Sequence, residues 1–178
     1  AGAILHATGT KNMYEMGGLS KEMKLTHVCF VIGSLALVGV PVFSGFWSKD
    51  AVLLSAYYSE VPGHMFLFAL GTFTAFITAL YSTRFIIVVF FAPPSEENKE
   101  RVEHAHDGGF FLTAPLIILG IAVILESIIF IPTPWLKFEE GLMEKLEPGV
   151  HAHEPNLLIA AGSGTLVLAG ILLGLWLY

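Results

Sequence analysis

A single cysteine, Cys29, in 178 residues excludes a disulfide scaffold, a cysteine-built zinc site and a thiolate-held iron–sulfur cluster. Charge is nearly as scarce: Asp, Glu, Lys and Arg make up 13% of the chain, against roughly 25% in ordinary soluble domains. With hydrophobic residues at 54% and a mean hydropathy of +0.71, that scarcity excludes a soluble globular domain, a disordered segment and a nucleic-acid binder. No nucleophile elbow, phosphate-binding glycine loop or dinucleotide fingerprint is present. Gly162-Ser163-Gly164 lies inside an apolar run and reads as helix packing. A secretory signal is also lacking, since no basic stretch precedes an apolar one and no small-residue cleavage site follows. The chain starts without Met, and Ala1-Gly2-Ala3-Ile4-Leu5 reads as the tail of a hydrophobic segment, so an internal piece of a longer protein is expected.

What remains is membrane-like. A spanning helix needs roughly 20 mainly apolar residues. Charge-free runs occupy Leu25 to Ser48, Val61 to Thr83, Gly108 to Leu125 and Pro155 to Tyr178. The predicted elements are a preceding helix end and connector over 1–24, a first spanning region over 25–58, spans over 63–92, 110–131 and 155–178, and connectors over 93–109 and 132–154. The runs are apolar all round, which excludes the alternation of barrel strands and predicts an all-α polytopic protein of about four spans in a lipid bilayer. The net charge of −6 is local: Glu96, Glu97, Glu100, Glu103 and Asp107 fall in one connector, and Glu139, Glu140, Glu144 and Glu147 in another. Lys11, Lys21, Lys24, Lys99 and Arg101 share one side, against Lys137 and Lys145 on the other. The positive-inside rule then places the first group in the cytoplasm. Tyr57, Tyr58, Trp135, Trp176 and Tyr178 are candidate interface anchors, and the Thr-rich stretch Thr72 to Thr83 suits close helix packing.

The first spanning region carries the most information. As one straight helix, 25–58 is about 51 Å long, well beyond a hydrocarbon core of about 30 Å. Gly39-Val40-Pro41-Val42-Phe43-Ser44-Gly45-Phe46 interrupts it with a helix breaker and two glycines. Two half-helices, 25–40 and 48–58, joined by an unwound stretch are predicted, with Pro41 and Gly45 making the break. Irregular backbone survives at membrane depth only inside protein or along a watery cavity, and such breaks mark ion sites in transporters. Lys49 and Asp50 follow the break directly. A lysine held away from water loses proton affinity and can exchange protons near neutral pH, and Asp50 can pair with it or cap the second half-helix. The competing reading makes both residues interfacial, at the end of a shorter helix.

Met16-Gly17-Gly18-Leu19, the apolar run, and Gly39 through Phe46 continuing to Trp47-Ser48-Lys49-Asp50 resemble the antiporter-like membrane subunits of proton-pumping NADH–quinone oxidoreductase, respiratory complex I, with subunit L the nearest branch. That family reads M-G-G-L, then G-I-P-P-F-S-G-F-x-S-K-D. The opening through His6-Ala7 is similar to the end of its preceding helix. Thr74-Ala75-Phe76 through Tyr81 and Arg84 are similar to its next helix, and His104 to Pro115 to the entry of the span after that. Val42 departs from the second proline, Met23 stands where a proline is common, and Glu126 inside the third span is not a family feature.

The resemblance implies a proton-translocating role. Lys49 matches the lysine beside a discontinuous helix in the outward half of a proton path, and Asp50 is the matching acid. It also implies partner membrane subunits, and flavin, iron–sulfur and quinone sites on other subunits, with no cofactor and no bond-making chemistry on this chain. The expected location is the cell (inner) membrane, multi-pass. The same motif occurs in Mrp-type cation/proton antiporters and membrane-bound hydrogenases, and a purely structural membrane subunit is the third reading. A histidine-bearing upstream helix and a downstream lateral helix of the family fall outside the chain, which is not expected to pump alone.

Secondary candidates stand beside this site. His6 and His27 lie near span ends, where a solvated histidine and a proton relay are the two readings. Arg84 is close enough to its helix end to anchor by snorkelling, or to serve near a proton path. Glu126 either reaches the far headgroups or is a protonatable acid paired with another helix. His104-Ala105-His106 and His151-Ala152-His153 are H-x-H pairs without an evident third metal ligand.

Overall fold

Four charge-free runs become helices, but the first divides. In the computed structural model, which describes residues 2–129 and 156–178, α1 is Gly2–Thr8, α2 Leu19–Glu22, α3 Lys24–Val38 and α4 Ser44–Tyr58. Then follow α5 at His64–Ile86, α6 at Lys99–Glu103, α7 at Phe110–Ile129 and α8 at Leu157–Leu177. The described residues are all helix and connection, with no strand. The predicted anchor Trp135, the basic residues Lys137 and Lys145, and the pair His151/His153 lie outside the described residues.

Among the described residues, three helices are long and apolar enough to cross a membrane: α5 with its extension (His64–Phe91, 28 residues), α7 and α8. The extension, Ile87–Phe91, is a π-helical turn closed by Ala92 N–H donating to the Ile87 carbonyl at 2.8 Å. Phe66, Phe73, Phe111, Ile118, Leu158 and Leu172 stand exposed along these helices, an apolar surface that suits lipid or neighbouring membrane helices and not water. The protein is a polytopic helical membrane protein.

The halves α3 and α4 run in the same direction, shown by their partners on α5. His27 packs against Phe90 (ring centroids 4.7 Å apart) and Phe30 against Phe85 (5.3 Å). Val38 is buried with Ala75 and Ala79, and Tyr57 meets Phe68 at 5.4 Å. As numbers rise along α3 and α4 they fall along α5, so α5 returns antiparallel beside both halves. His64 Nδ1, hydrogen-bonded to the Tyr57 carbonyl at 3.1 Å, fixes the turn between them. The break faces the middle of α5, which puts it near mid-membrane.

Small residues bring α8 against α5. A Cβ on Gly170 would lie 2.8 Å from the Phe76 carbonyl oxygen, and one on Gly174 would lie 2.8 Å from Thr83 Cβ. At the end where α3 begins, the connectors fold over the helices. Ile4, Leu19, Met23, Val89 and Phe90 form one buried cluster there, and Val102 joins it from α6.

Asp107 pins this end together. Its carboxylate accepts the Leu25 N–H (3.0 Å), the Thr26 N–H (2.9 Å) and the Thr26 hydroxyl (2.7 Å), so the connector after α5 caps the first turn of α3. Burial pushes the Asp107 carboxyl up, but these hydrogen bonds and the nearby His106 outweigh it and hold it below the ordinary carboxylate range. A carboxyl depressed in the folded state stabilises the fold above its unfolded value and loses that contribution as pH falls through the lower folded value. Asp107→Ala should therefore cost about 1–2 kcal/mol at neutral pH, the usual range for a lost cap. In acid melts of the purified protein the gap between wild type and variant should close.

Candidate proton site at the helix break

Stopping a helix inside a membrane strands its last carbonyls. At the end of α3 two of them are satisfied by the backbone. Gly39 turns to φ 81°, its N–H reaches the Ala36 and Leu35 carbonyls, and the Val40 N–H reaches the Leu35 carbonyl at 3.1 Å. The remaining two, Leu37 and Val38, are taken by a side chain. Lys49 Nζ donates to the Leu37 carbonyl and, at 3.0 Å, to the Val38 carbonyl. The ammonium thus sits at the negative end of the α3 dipole, where a cation is favoured.

The second half starts sooner than the sequence indicates. α4 begins at Ser44 and not near 48, because the Ser44 N–H finds Ser127 Oγ of α7 at 3.3 Å and the helix can restart as soon as Pro41 is passed. The unwound stretch is only 39–43. Gly45 has an unexpected role: it is helical, and its missing side chain lets α4 touch α3, since a Cβ there would lie 1.8 Å from the Ala36 carbonyl oxygen. The left-handed positions are Gly39 and Val42, the latter at φ 89°. For a β-branched residue that conformation is strained, and it falls where the family pattern has a second proline.

Asp50 neither pairs with Lys49 nor caps α4. It lies in the second turn, and neighbours in a helix point about 100° apart. Lys49 faces α5 in a crevice of about 280 Å³ with Ser48, Thr74 and Thr78. Asp50, 7% exposed, faces α8 in another of about 380 Å³, and its Oδ1 is buried without a hydrogen-bond partner. The hydroxyls of Thr74 and Thr78 donate to the carbonyls four residues back, at 2.7 Å each, so the stretch read as packing also lines the lysine crevice.

The other candidates lie elsewhere. His6 is exposed on α1. His27 is half-buried: its ring packs against Phe90 and Phe91, and Nε2 is buried without a partner. Arg84 donates to the Tyr14 hydroxyl and stands 5.0 Å from the Tyr178 ring centroid, tying the N-terminal loop, α5 and the end of α8 together. That is an anchoring geometry, more than a helical turn beyond Thr78. Glu126 is exposed on α7 and forms no ion pair among the described residues, while its neighbour Ser127 supports the break. His106 Nδ1 meets the His104 carbonyl, and no metal-holding cluster occurs among the described residues.

Residues 1–78, which contain the whole broken helix, match the family model described as NADH:quinone oxidoreductase/Mrp antiporter, TM. NADH-quinone oxidoreductase subunit L of Rickettsia conorii is 32% identical over 183 residues, covering 100% of this chain and 27% of that protein. NADH-ubiquinone oxidoreductase chain 5 of Acanthamoeba castellanii is 40% identical over 131 residues, 73% of this chain and 19% of its own length. Subunit L of Rickettsia typhi is 41% identical over 119 residues, 67% of this chain and 18% of its own. The chain belongs to the antiporter-like membrane subunits of complex I. It spans between about a fifth and a quarter of the length of these relatives.

Within this family segment, contact at Gly45 fixes how the two half-helices meet. Gly45→Ala should destabilise by about 1–3 kcal/mol, the usual range for overpacking. Gly162→Ala, where a Cβ meets nothing within 4 Å, should be near neutral. Thermal unfolding of the full-length protein in detergent would compare the two.

Proposed function

We propose that this chain is part of the proton-translocating membrane arm of a redox-driven NADH–quinone oxidoreductase, with Lys49 taking up and releasing protons in a half-channel. The observation that carries this reading is the place of its ammonium: at the depth of a helix break, bonded to the Leu37 and Val38 carbonyls, beside a crevice that Ser48, Thr74 and Thr78 share with apolar Val52, Leu53 and Ala75. As an ammonium it is held by a charge–dipole interaction; as a neutral amine it keeps at most a weak hydrogen bond there. Proton release and loosening of the break are therefore linked. On this reading the chain makes and breaks no covalent bonds, and flavin, iron–sulfur clusters and quinone belong to partner subunits. It works in a cell (inner) membrane, with the α3-start end on the cytoplasmic side.

The family description also names Mrp antiporters, which supports a cation/proton antiporter as the second reading. Sodium-dependent transport by the assembled complex would favour it. A structural reading, in which Lys49 only tethers the two half-helices, makes a different demand on chemistry. Arginine can form the same tether but does not release its proton in a protein.

In the full-length subunit within its complex, Lys49→Met and Lys49→Arg should both assemble and both lose proton pumping several-fold, measured as acidification in proteoliposomes. Pumping at wild-type level by Lys49→Arg, with loss of assembly in Lys49→Met, would replace the proton-carrier reading by the tether.

A further inference from the structure

One face of α7, along Leu116, Gly120, Val123 and Ser127, lies against α3 and the start of α4. A Cβ on Gly120 would lie 3.5 Å from Cys29 Sγ, and Ser127 Oγ accepts the Ser44 N–H at 3.3 Å. The opposite face, along Ile118, Ala122, Leu125 and Glu126, is exposed, and α7 is the least buried of the three spanning helices. That face is apolar except for Glu126.

Depth makes this acid informative. Ser127 stands level with Ser44, where α4 restarts, and the next residue, Gly45, is in contact with the Ala36 carbonyl of α3. Glu126 is therefore level with the helix break, which faces the middle of α5. Along α7 it is sixteen residues, about 24 Å, from Phe110. Toward the other side, α4 runs on for fourteen residues, about 21 Å, from Ser44 to Tyr58. One glutamate side chain reaches neither headgroup layer from there. A carboxylate facing hydrocarbon at that depth is costly, and acids in spanning helices nearly always turn inward and pair. The described lysine and arginine inside the apolar helices are already committed. Lys49 holds the Leu37 and Val38 carbonyls, and Arg84 holds Tyr14 and lies against Tyr178.

We propose that the face of α7 formed by Ile118, Ala122, Leu125 and Glu126 docks a further membrane helix that presents a lysine or arginine to Glu126 at the depth of the break. Ala122, one turn before the acid, lets that helix come close. The apolar neighbours supply the packing, and the ion pair sets the register. The surface lies on the side of α7 away from Lys49, so it is independent of the proton-carrier reading.

The test uses the full-length subunit in its complex. With Ala122→p-benzoylphenylalanine, photo-crosslinking and mass spectrometry should identify a membrane helix carrying Lys or Arg within about one helical turn of the attachment point. The mass of the product shows whether that helix belongs to the same polypeptide or to a neighbouring subunit. Glu126→Leu should lower the yield of assembled complex several-fold, because it strands the opposing cation. Glu126→Lys should lower it further, and exchanging the identified cation for Glu should restore it. A crosslink to lipid alone, or to a helix without a cation at that depth, overturns the proposal. So does assembly of Glu126→Leu at or above the wild-type level, the result expected of an acid that faces lipid. Neither readout uses pumping, so failure here is separable from failure of the proton-carrier reading.

Discussion

The hydrogen bonds from Lys49 to the Leu37 and Val38 carbonyls are the interaction on which the middle of this molecule depends. A helix that ends inside a bilayer leaves four carbonyls without intrahelical partners, and an unsatisfied polar group in hydrocarbon costs several kcal/mol. Gly39 and Val40 settle two of them through the backbone, and a lysine eleven or twelve residues along the chain settles the rest. The arrangement serves both sides. The carbonyls gain a donor, and a cation that would be unfavourable at this depth gains the negative end of a helix dipole.

Closing that contact constrains everything packed around it. For Lys49 to reach back, α4 must restart within one turn of Pro41 and press on α3, which requires the bare surface of Gly45 and the support of Ser127 for the Ser44 amide. Both halves must then lie in line, so a single long helix, α5, can cover them from one end to the other. Close approach of α8 to α5 at Gly170 and Gly174 completes the wall. Asp107 acts at a distance in the same frame. It holds the first turn of α3, the helix whose far end carries the carbonyls that Lys49 takes.

The broad architecture was legible because membrane helices announce themselves by length and apolarity, and because Pro41 between two glycines in an overlong run leaves few alternatives. Lys49 was legible for the same reason, since a charge beside a break at that depth needs an explanation. Its partner was not. Adjacency in sequence suggests a Lys49–Asp50 pair, yet consecutive helical residues diverge, and the true acceptors are backbone atoms that carry no sequence signal. Ser127 and Asp107 were hidden similarly, since each acts on a residue more than eighty positions away. Gly45 was read for its backbone freedom, when its use is the absence of a side chain at a contact. His27, read from its place near a span end, packs against Phe90 and Phe91, a contact with residues more than sixty positions away that the sequence does not signal.

Directing a base and an acid from successive positions into opposite crevices has a consequence for charge movement. A direct Lys49–Asp50 ion pair would hold the lysine's proton tightly, which opposes release. Turned apart, the two groups keep the same depth without neutralising each other through a hydrogen bond. The lysine is held instead by carbonyl dipoles, whose attraction is weaker than that of a full charge and is spread over the end of a helix. Val42, strained at φ 89° in the joint, places the least comfortable backbone of the segment between the dipole and the lysine that depends on it. On the proposed reading a proton carrier needs a charged state that is tolerated but not trapped, and a broken helix closed by its own lysine meets that requirement more closely than a salt bridge would.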